Sequence, residues 1–223
     1  MARTTAAQRR TVDALLETCG RTYAEEAGIR LRDTPQPLYR LLVLACLLSA
    51  RIRASVAVAT ARSLADAGMK SPRAMAGATW QQRVDALGAG GYRRYDERTA
   101  TQLGDGAELL LERYGGDVRR LRDAADGDDA DALSEALQQI PGIGPAGAGI
   151  FLREVQAVWP AVRPCIDGKA LDGAARLGLP RRPQDLARLV EDDQVAALAA
   201  GLTRVALDAE AAEEVGRRAA ERG

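Results

Sequence analysis

Two glycines that flank one aliphatic residue, Gly142-Ile143-Gly144, lie between two segments with helical patterns. Glycine lets a backbone turn tightly and approach a ligand closely, and the first amides of the next helix point outward, where they bind anions such as phosphate. Ile143 is predicted to pack inward and hold the two helices together. The alternative is an ordinary helix-turn-helix corner capped by glycines, which such a pair of glycines favours on its own.

The chain contains no histidine, and this excludes several classes of active site. Ser-His-Asp triads, Cys-His pairs and most zinc sites need an imidazole. Acid–base or nucleophilic chemistry must therefore rest on Asp, Glu, Lys, Tyr or water. The cysteines are Cys19, Cys46 and Cys165, an odd number far apart, so no disulfide framework is predicted. The formal net charge is +0, but nucleic-acid binding depends on where charges lie rather than on their sum.

The composition indicates that helices position these residues. The 223 residues are 47% hydrophobic but only 4% aromatic, with abundant Ala, Leu, Arg, Glu and Asp, which are common in helices. Periodicity and caps predict helices at Thr5–Glu26, Leu38–Ala50, Ala54–Ala67, Ser71-Pro72 onward, Trp80–Leu87, Tyr92–Tyr114, Ala132–Gln139, Pro145–Val158, Asp167 onward, Leu186–Glu191, Gln194–Leu207 and the C-terminus. The apolar Leu38–Ala50 is predicted to be the central core helix. The acidic stretch Asp123–Asp131 is predicted to be a solvated loop that marks a lobe boundary, and Trp80 and Trp159 are expected to fill core space.

Four motifs follow one another along the chain. They are Leu47-Leu48-Ser49-Ala50-Arg51, then Gly91-Tyr92-Arg93 with Glu97 and Ala100, then Leu137–Ala148 around Ile140-Pro141-Gly142-Ile143-Gly144, and last Ile166-Asp167-Gly168-Lys169. Together they resemble the endonuclease III-like branch of the helix-hairpin-helix DNA glycosylase superfamily, over residues 38 to 206. The resemblance implies an all-α, two-lobed fold with a DNA-binding cleft between the lobes. Residues 30–130 would form a helical, barrel-like lobe, and 1–29 plus 131–223 a second lobe with the helix-hairpin-helix at about 132–158.

The resemblance also implies a catalytic carboxylate at Asp167. The family's aspartate stabilises positive charge on the deoxyribose as the glycosidic bond breaks, or helps to activate the nucleophile. Asp167 is also expected as a helix N-cap, a compatible role. Bifunctional members carry a lysine that forms a Schiff base where this chain has Ala146, which predicts a monofunctional enzyme that uses water. Lys169 is a second catalytic candidate, and its alternative is an ordinary solvent-facing lysine.

A further set of residues is predicted to contact DNA: Arg51, Arg53, Tyr92, Gly142, Ile143, Gly144 and Gly147. Arg51 replaces the glutamine that many relatives insert into the gap left by an extruded base, and its planar group can stack on bases. Alternatively, Arg51 and Arg53 bind phosphates or cap the core helix. Tyr92 and Tyr95 are candidates for stacking on the extruded base.

The resemblance implies that backbone carbonyls of the hairpin hold a monovalent cation, Na⁺ or K⁺. No metal is expected on side chains. Members with an iron–sulfur cluster have four cysteines after the last helices, whereas this chain has none beyond Cys165, so no cluster is expected.

The expected function is base-excision repair: hydrolysis of the N-glycosidic bond of a damaged or modified base in double-stranded DNA. A monomer in the cytoplasm, associated with the nucleoid when bound, is expected, because the sequence lacks a signal-peptide pattern and a long uncharged apolar stretch. Two alternatives stay open. One is a non-catalytic DNA-structure or lesion-binding protein of glycosylase descent, and the other is a DNA lyase that uses Lys169. No motif encodes the pocket that would select the base.

Overall fold

A computed structural model describes residues 5–127 and 129–222, and every regular element in these ranges is a helix. The helices are α1 (Ala6–Cys19), α2 (Tyr23–Glu26), α3 (Pro35–Leu48), α4 (Ala54–Asp66), α5 (Pro72–Gly77), α6 (Trp80–Ala89), α7 (Asp96–Tyr114), α8 (Val118–Ala124), α9 (Ala130–Leu137), α10 (Pro145–Val155), α11 (Gly168–Arg176), α12 (Pro183–Ala187), α13 (Val195–Leu207) and α14 (Ala209–Glu221). Short 3₁₀ turns occupy Pro160–Val162 and Asp192–Gln194. The predicted all-α class is confirmed. No helix within the described ranges is long and apolar enough to cross a membrane.

The described chain divides into two compact units. The smaller comprises Met1–Tyr23 and Arg163–Gly223, and the larger comprises Ala24–Val162. Residues 131–162, predicted to join the C-terminal lobe, group with the larger unit because α10 packs on α3. The acidic segment therefore lies inside the larger unit rather than at a boundary. The predicted cleft between lobes stays a prediction, and residues 1–4 and 223 of the predicted second lobe lie outside the described residues.

The larger unit is built around α3, the predicted core helix. Its residues from Leu38 to Leu47 are buried, except for Arg40. The Arg40 guanidinium donates hydrogen bonds to the carbonyls of Ala27 and Gly28, both at 3.3 Å, so the one charged group of this stretch is satisfied at its edge. α4 and α10 pack against α3. A helix that is apolar nearly all round is covered nearly all round, as its sequence predicts.

The prediction of one helix over Thr5–Glu26 is wrong, because α1 ends at Cys19 and α2 begins at Tyr23. The amide of Gly20 closes the last turn of α1 on the carbonyl of Leu16 at 3.0 Å. The carboxylate of Glu154 in α10 accepts the N–H of Ala24 at 2.9 Å and so caps the first turn of α2. This cap comes from a residue far away in sequence, so the periodicity of the segment does not reveal it.

The region around α8 also departs from the predicted elements. α8 was not among them; its N-cap Asp117 accepts the N–H of Arg119 at 3.0 Å, and Val118 and Leu121 are buried. The predicted acidic loop is correspondingly shorter, since α8 ends at Ala124 and α9 begins at Ala130. Asp128 in that loop lies outside the described residues.

The two tryptophans have different environments. Trp159 is buried as predicted, and its indole N–H donates to the Asp33 carboxylate at 2.8 Å. The prediction for Trp80 is wrong: its side chain is 42% exposed. Its indole N–H donates to the Thr101 hydroxyl at 3.2 Å, an exposed contact that satisfies its donor without burial.

The smaller unit packs α1, α11, α13 and α14 around a core of aliphatic side chains that includes Leu15, Leu198, Leu202 and Val205. α11 and α13 come so close that a Cβ on Gly173 would overlap the carbonyl of Leu202. This contact therefore depends on glycine.

Candidate nucleic-acid interface

The hairpin predicted from sequence joins α9 to α10. The amide of Ile143 donates to the carbonyl of Ile140 at 3.0 Å, which closes the turn. Gly142 within it has a φ of 87°, the left-handed region that favours glycine. Ile143 is 5% exposed, so it packs inward as predicted.

The start of α10 presents backbone donors. Gly144 is the N-cap and has no side chain to satisfy the first amides, and Pro145 supplies no N–H. Within the described residues, the amides of Gly144, Ala146 and Gly147 donate no hydrogen bond, and the first bond of the helix is from Ala148 to the Gly144 carbonyl at 2.9 Å. A Cβ on Gly144 would meet nothing within 4 Å. The backbone at Gly144 is therefore open to a close-lying ligand.

Gly147, the other predicted contact on α10, is buried. A Cβ on it would lie 3.5 Å from Ile143 and 3.7 Å from the Cβ of Ser49, at ordinary contact distances. Gly147 thus lies against the end of α3, and its predicted role in DNA binding stays a prediction.

Two helices hold the hairpin from below. The Cys46 thiol of α3 donates to the carbonyl of Gly142 at 3.4 Å, and burial raises the pKa of Cys46 to about 12, so the thiol keeps its proton. On α7, a Cβ added to Gly106 would lie 3.1 Å from Ile140 and 3.2 Å from the carbonyl of Pro141. The absence of a side chain at Gly106 lets the hairpin lie directly on α7.

A pocket of about 380 Å³ opens beside the hairpin, entirely within the larger unit. It is lined by Cys46, Ser49, Ala50, Arg51, Tyr92, Tyr95, Arg98, Thr99, Gln102 and Gly142. The predicted DNA contacts Arg51, Tyr92 and Gly142 thus share one pocket. Tyr92 is 3% exposed, and its hydroxyl is 3.1 Å from that of Thr99. Burial raises the pKa of Tyr92, which keeps this hydroxyl protonated.

Exposed arginines lie on the segments that border the pocket: Arg51, Arg53, Arg93, Arg94 and Arg98. None of the five forms an ion pair with a described carboxylate. The Arg94 guanidinium lies 5.2 Å from the ring centre of Tyr95. The Arg53 backbone is the N-cap of α4, but its side chain makes no cap bond there. These positive charges are available to an anionic partner.

The predicted catalytic residues lie in the smaller unit, at the start of α11. Asp167 is half-buried and is the N-cap: its carboxylate accepts the N–H of Ala170 at 2.9 Å. Lys169 is exposed, and its ammonium lies 2.9 Å from Asp172, an ion pair that lowers the pKa of the Asp172 carboxyl. The expected N-cap of Asp167 is therefore present, whereas the catalytic roles of both residues stay predictions.

Sequence reasoning missed several residues of the pocket and of the hairpin seat, namely Cys46, Arg98, Gln102 and Gly106. Three of them form one row on α7: Arg98, Gln102 and Gly106 recur at successive helical turns. That spacing was visible in the sequence, but nothing local indicated which partner the row faces.

The comparisons with known proteins support the fold and leave the activity open. No family profile matches the sequence, and no curated protein matches it significantly. A solved structure described as a trapped endonuclease III–DNA covalent intermediate, an estranged-adenine complex, matches with a TM-score of 0.50 and 15% identity. The match covers 78% of this chain and 74% of that chain. The chain therefore has an all-helical fold that resembles endonuclease III.

Proposed function

We propose that this protein is a base-excision DNA glycosylase that binds double-stranded DNA through its helix-hairpin-helix. The observation that carries the proposal is the open start of α10, where unpaired amides follow a glycine that nothing covers. A phosphate can approach such a backbone closely and accept its hydrogen bonds. The endonuclease III-like fold and the unpaired arginines beside the hairpin support the same partner.

The proposed reaction is hydrolysis of the N-glycosidic bond of a damaged or modified base. Asp167 would stabilise positive charge on the deoxyribose or help to activate water. Its bond to the N–H of Ala170 orients the carboxylate. Arg51, exposed at the pocket, would fill the gap left by the extruded base. The damaged base would enter the pocket beside the hairpin.

A monofunctional enzyme is the simplest form of this proposal. Ala146 is exposed on the first turn of α10 and has no amine to attack the sugar. Lys169, the other candidate amine, pairs with Asp172 on the exposed side of α11. This pairing favours water as the nucleophile.

A monovalent cation at the hairpin would complete the phosphate site. The carbonyls of Gln138 and Ile143 accept no hydrogen bond from the described residues, so they are available as ligands. Bound there, the ion would add positive charge beside the amides of α10. Side chains are not proposed as ligands; no group of His, Cys, Asp or Glu in the described residues could hold a metal ion.

Base release from duplexes that carry a panel of damaged bases tests the proposal. Asp167→Asn removes the charge but keeps a side chain that caps helices equally well, so the fold should be retained. We expect wild-type protein to release at least one base and Asp167→Asn to be slower by about 100-fold or more. An unchanged rate in Asp167→Asn would remove Asp167 from the mechanism.

Two further measurements separate the alternatives. Borohydride trapping on abasic DNA should give no covalent adduct; an adduct lost in Lys169→Ala would establish a lyase instead. Tight binding to lesion duplexes without release of any base would establish a DNA-binding protein of glycosylase descent.

A further inference from the structure

The wall of the pocket contains a carboxamide that no part of the described protein uses. Gln102 is half-buried on α7, with its Cβ 3.2 Å and its Oε1 3.6 Å from the position that a Cβ on Gly142 would occupy. Its side chain forms no hydrogen bond within the described residues and lines the pocket. Half-buried polar groups are usually hydrogen-bonded, so an unpaired amide at this place indicates a ligand.

The other polar groups of the pocket are engaged with each other or with the backbone. The Ser49 hydroxyl donates to the carbonyl of Cys46 at 2.7 Å, and the hydroxyls of Tyr92 and Thr99 pair at 3.1 Å. Gln102 therefore stands out as the uncharged group that can both donate to a ligand and accept from it.

The charge of the pocket is positive. Arg98, one helical turn before Gln102, and Arg51 both line it, and no Asp or Glu does. Arginines donate hydrogen bonds but cannot accept them, so they suit carbonyl oxygens and disfavour a cationic ligand. Tyr95 contributes an aromatic ring on which a planar ligand can stack.

From these groups we infer that Gln102 is a specificity-determining residue that selects an uncharged base with a lactam edge, a carbonyl next to a ring N–H. The inference rests on the proposed function. The carboxamide N–H donates to the base carbonyl while Oε1 accepts from the ring N–H, so both partners are satisfied. Arg98 donates to a further carbonyl at the mouth of the pocket. Bases without this edge, and cationic alkylated bases above all, leave the carboxamide unpaired or face two arginines.

Equilibrium binding to a matched set of duplexes tests this assignment independently of catalysis. The duplexes carry 2′-fluoro nucleotides, which resist glycosidic hydrolysis, with uracil or 8-oxoguanine as lactam bases and 1-methyladenine as a stable cationic base. A tetrahydrofuran duplex, which has no base, measures all contacts outside the pocket. For wild-type protein we expect both lactam duplexes to bind about tenfold or more tightly than the 1-methyladenine duplex.

Substitutions at Gln102 convert this preference into a readout that a structural role would not produce. Gln102→Leu should reduce the preference for the lactam bases by about 10- to 100-fold while binding to the tetrahydrofuran duplex is unchanged. Gln102→Glu replaces the donor with a charged acceptor and should bind 1-methyladenine more tightly than uracil. Gln81→Leu is the matched control, because Gln81 is exposed, bonds to Asp85 at 2.8 Å and does not line the pocket.

The outcomes distinguish this inference from the proposed function. If Gln102→Leu and Gln102→Glu keep the wild-type order of bases, or if wild type prefers 1-methyladenine, the inference is overturned while base release still supports a glycosylase. If wild type binds none of the duplexes, the proposed function fails, and the inference fails with it. A reversed order in Gln102→Glu establishes the inference.

Discussion

The two units of the protein use arginine in opposite ways. At the outer surface of the smaller unit, Arg217 and Arg218 of α14 share the Glu214 carboxylate, at 2.7 and 2.6 Å, and Arg222 pairs with Glu17 of α1. Around the pocket of the larger unit, Arg51 and Arg98 have no ion pair with any described carboxylate. A net charge of zero therefore conceals a region of unneutralised positive charge. One surface is charged for its own structure, and the other is charged for a partner.

Glycines show a second contrast between the units. Gly173 of the smaller unit lets two helices of its core touch, whereas Gly106 of the larger unit lets the hairpin lie on α7. The first contact supports the core, and the second positions a functional element. Substitutions at these two sites and at the two groups of arginines can break or sharpen the comparison.

The largest expected effect is on the core of the smaller unit. Gly173→Ala places a methyl group against the backbone of Leu202, which cannot move without displacing α13, so we expect a loss of about 3 kcal/mol in the free energy of unfolding. For a chain of this size that corresponds to a fall in Tm of about 6–12 °C, measured by circular dichroism. Gly216→Ala is the control: nothing lies within 4 Å of its Cβ, and α14 should be slightly stabilised. Equal Tm values for the two variants would contradict the close helix contact.

The next effect concerns the unpaired arginines. The quadruple variant Arg51→Ala, Arg53→Ala, Arg94→Ala and Arg98→Ala should bind a generic duplex about 100-fold more weakly, and the slope of log affinity against log salt should shrink by about 0.9 for each lost phosphate contact. Fluorescence anisotropy over a salt series measures both quantities.

Arg217→Ala with Arg218→Ala is the matched comparison, since it removes paired arginines from the smaller unit. Its DNA affinity and salt slope should equal those of wild type. If both variants lose the same affinity, the contrast between the two surfaces is wrong.

A smaller effect is expected where the hairpin lies on α7. The Cβ of Gly106→Ala would press on Ile140 and the carbonyl of Pro141, at a cost of about 1–2 kcal/mol, and the displaced hairpin should bind DNA several times more weakly. Gly149→Ala on α10 is the control, because its Cβ meets nothing within 4 Å. Thermal unfolding and anisotropy are measured on both. Wild-type affinity in a destabilised Gly106→Ala protein would separate the hairpin's position from DNA binding.

The smallest effect is on the response to acid. Hydrogen bonds from Arg217 and Arg218 hold the pKa of Glu214 below its ordinary value of 4.5. A carboxyl with a lowered folded pKa contributes stability that is present above its unfolded pKa and is lost as pH falls through the folded pKa. Replacing both arginines with glutamine should therefore make the fall in Tm below about pH 5 shallower. The quadruple variant at the pocket, which breaks no ion pair, should retain the wild-type acid response.

Much of the fold was predictable because it depends on neighbouring residues. The apolar run at Leu38–Leu47 predicts a buried helix, and α3 is that helix. The Ser71-Pro72 start of α5 and the Asp167 cap of α11 follow from bonds that close within one turn. The conformation of the hairpin, with Gly142 at positive φ and Ile143 inward, is local in the same sense.

The sequence by itself thus determined the helical class, the hairpin and the cap at Asp167, because backbone geometry and hydrogen bonds over a few residues decide them. Only the tertiary structure decided that α2 is capped by Glu154, that Gln102 lines a pocket beside Gly142, and which arginines are neutralised. These features arise where segments distant in sequence meet, and pairing between distant side chains leaves no periodic trace in the order of residues.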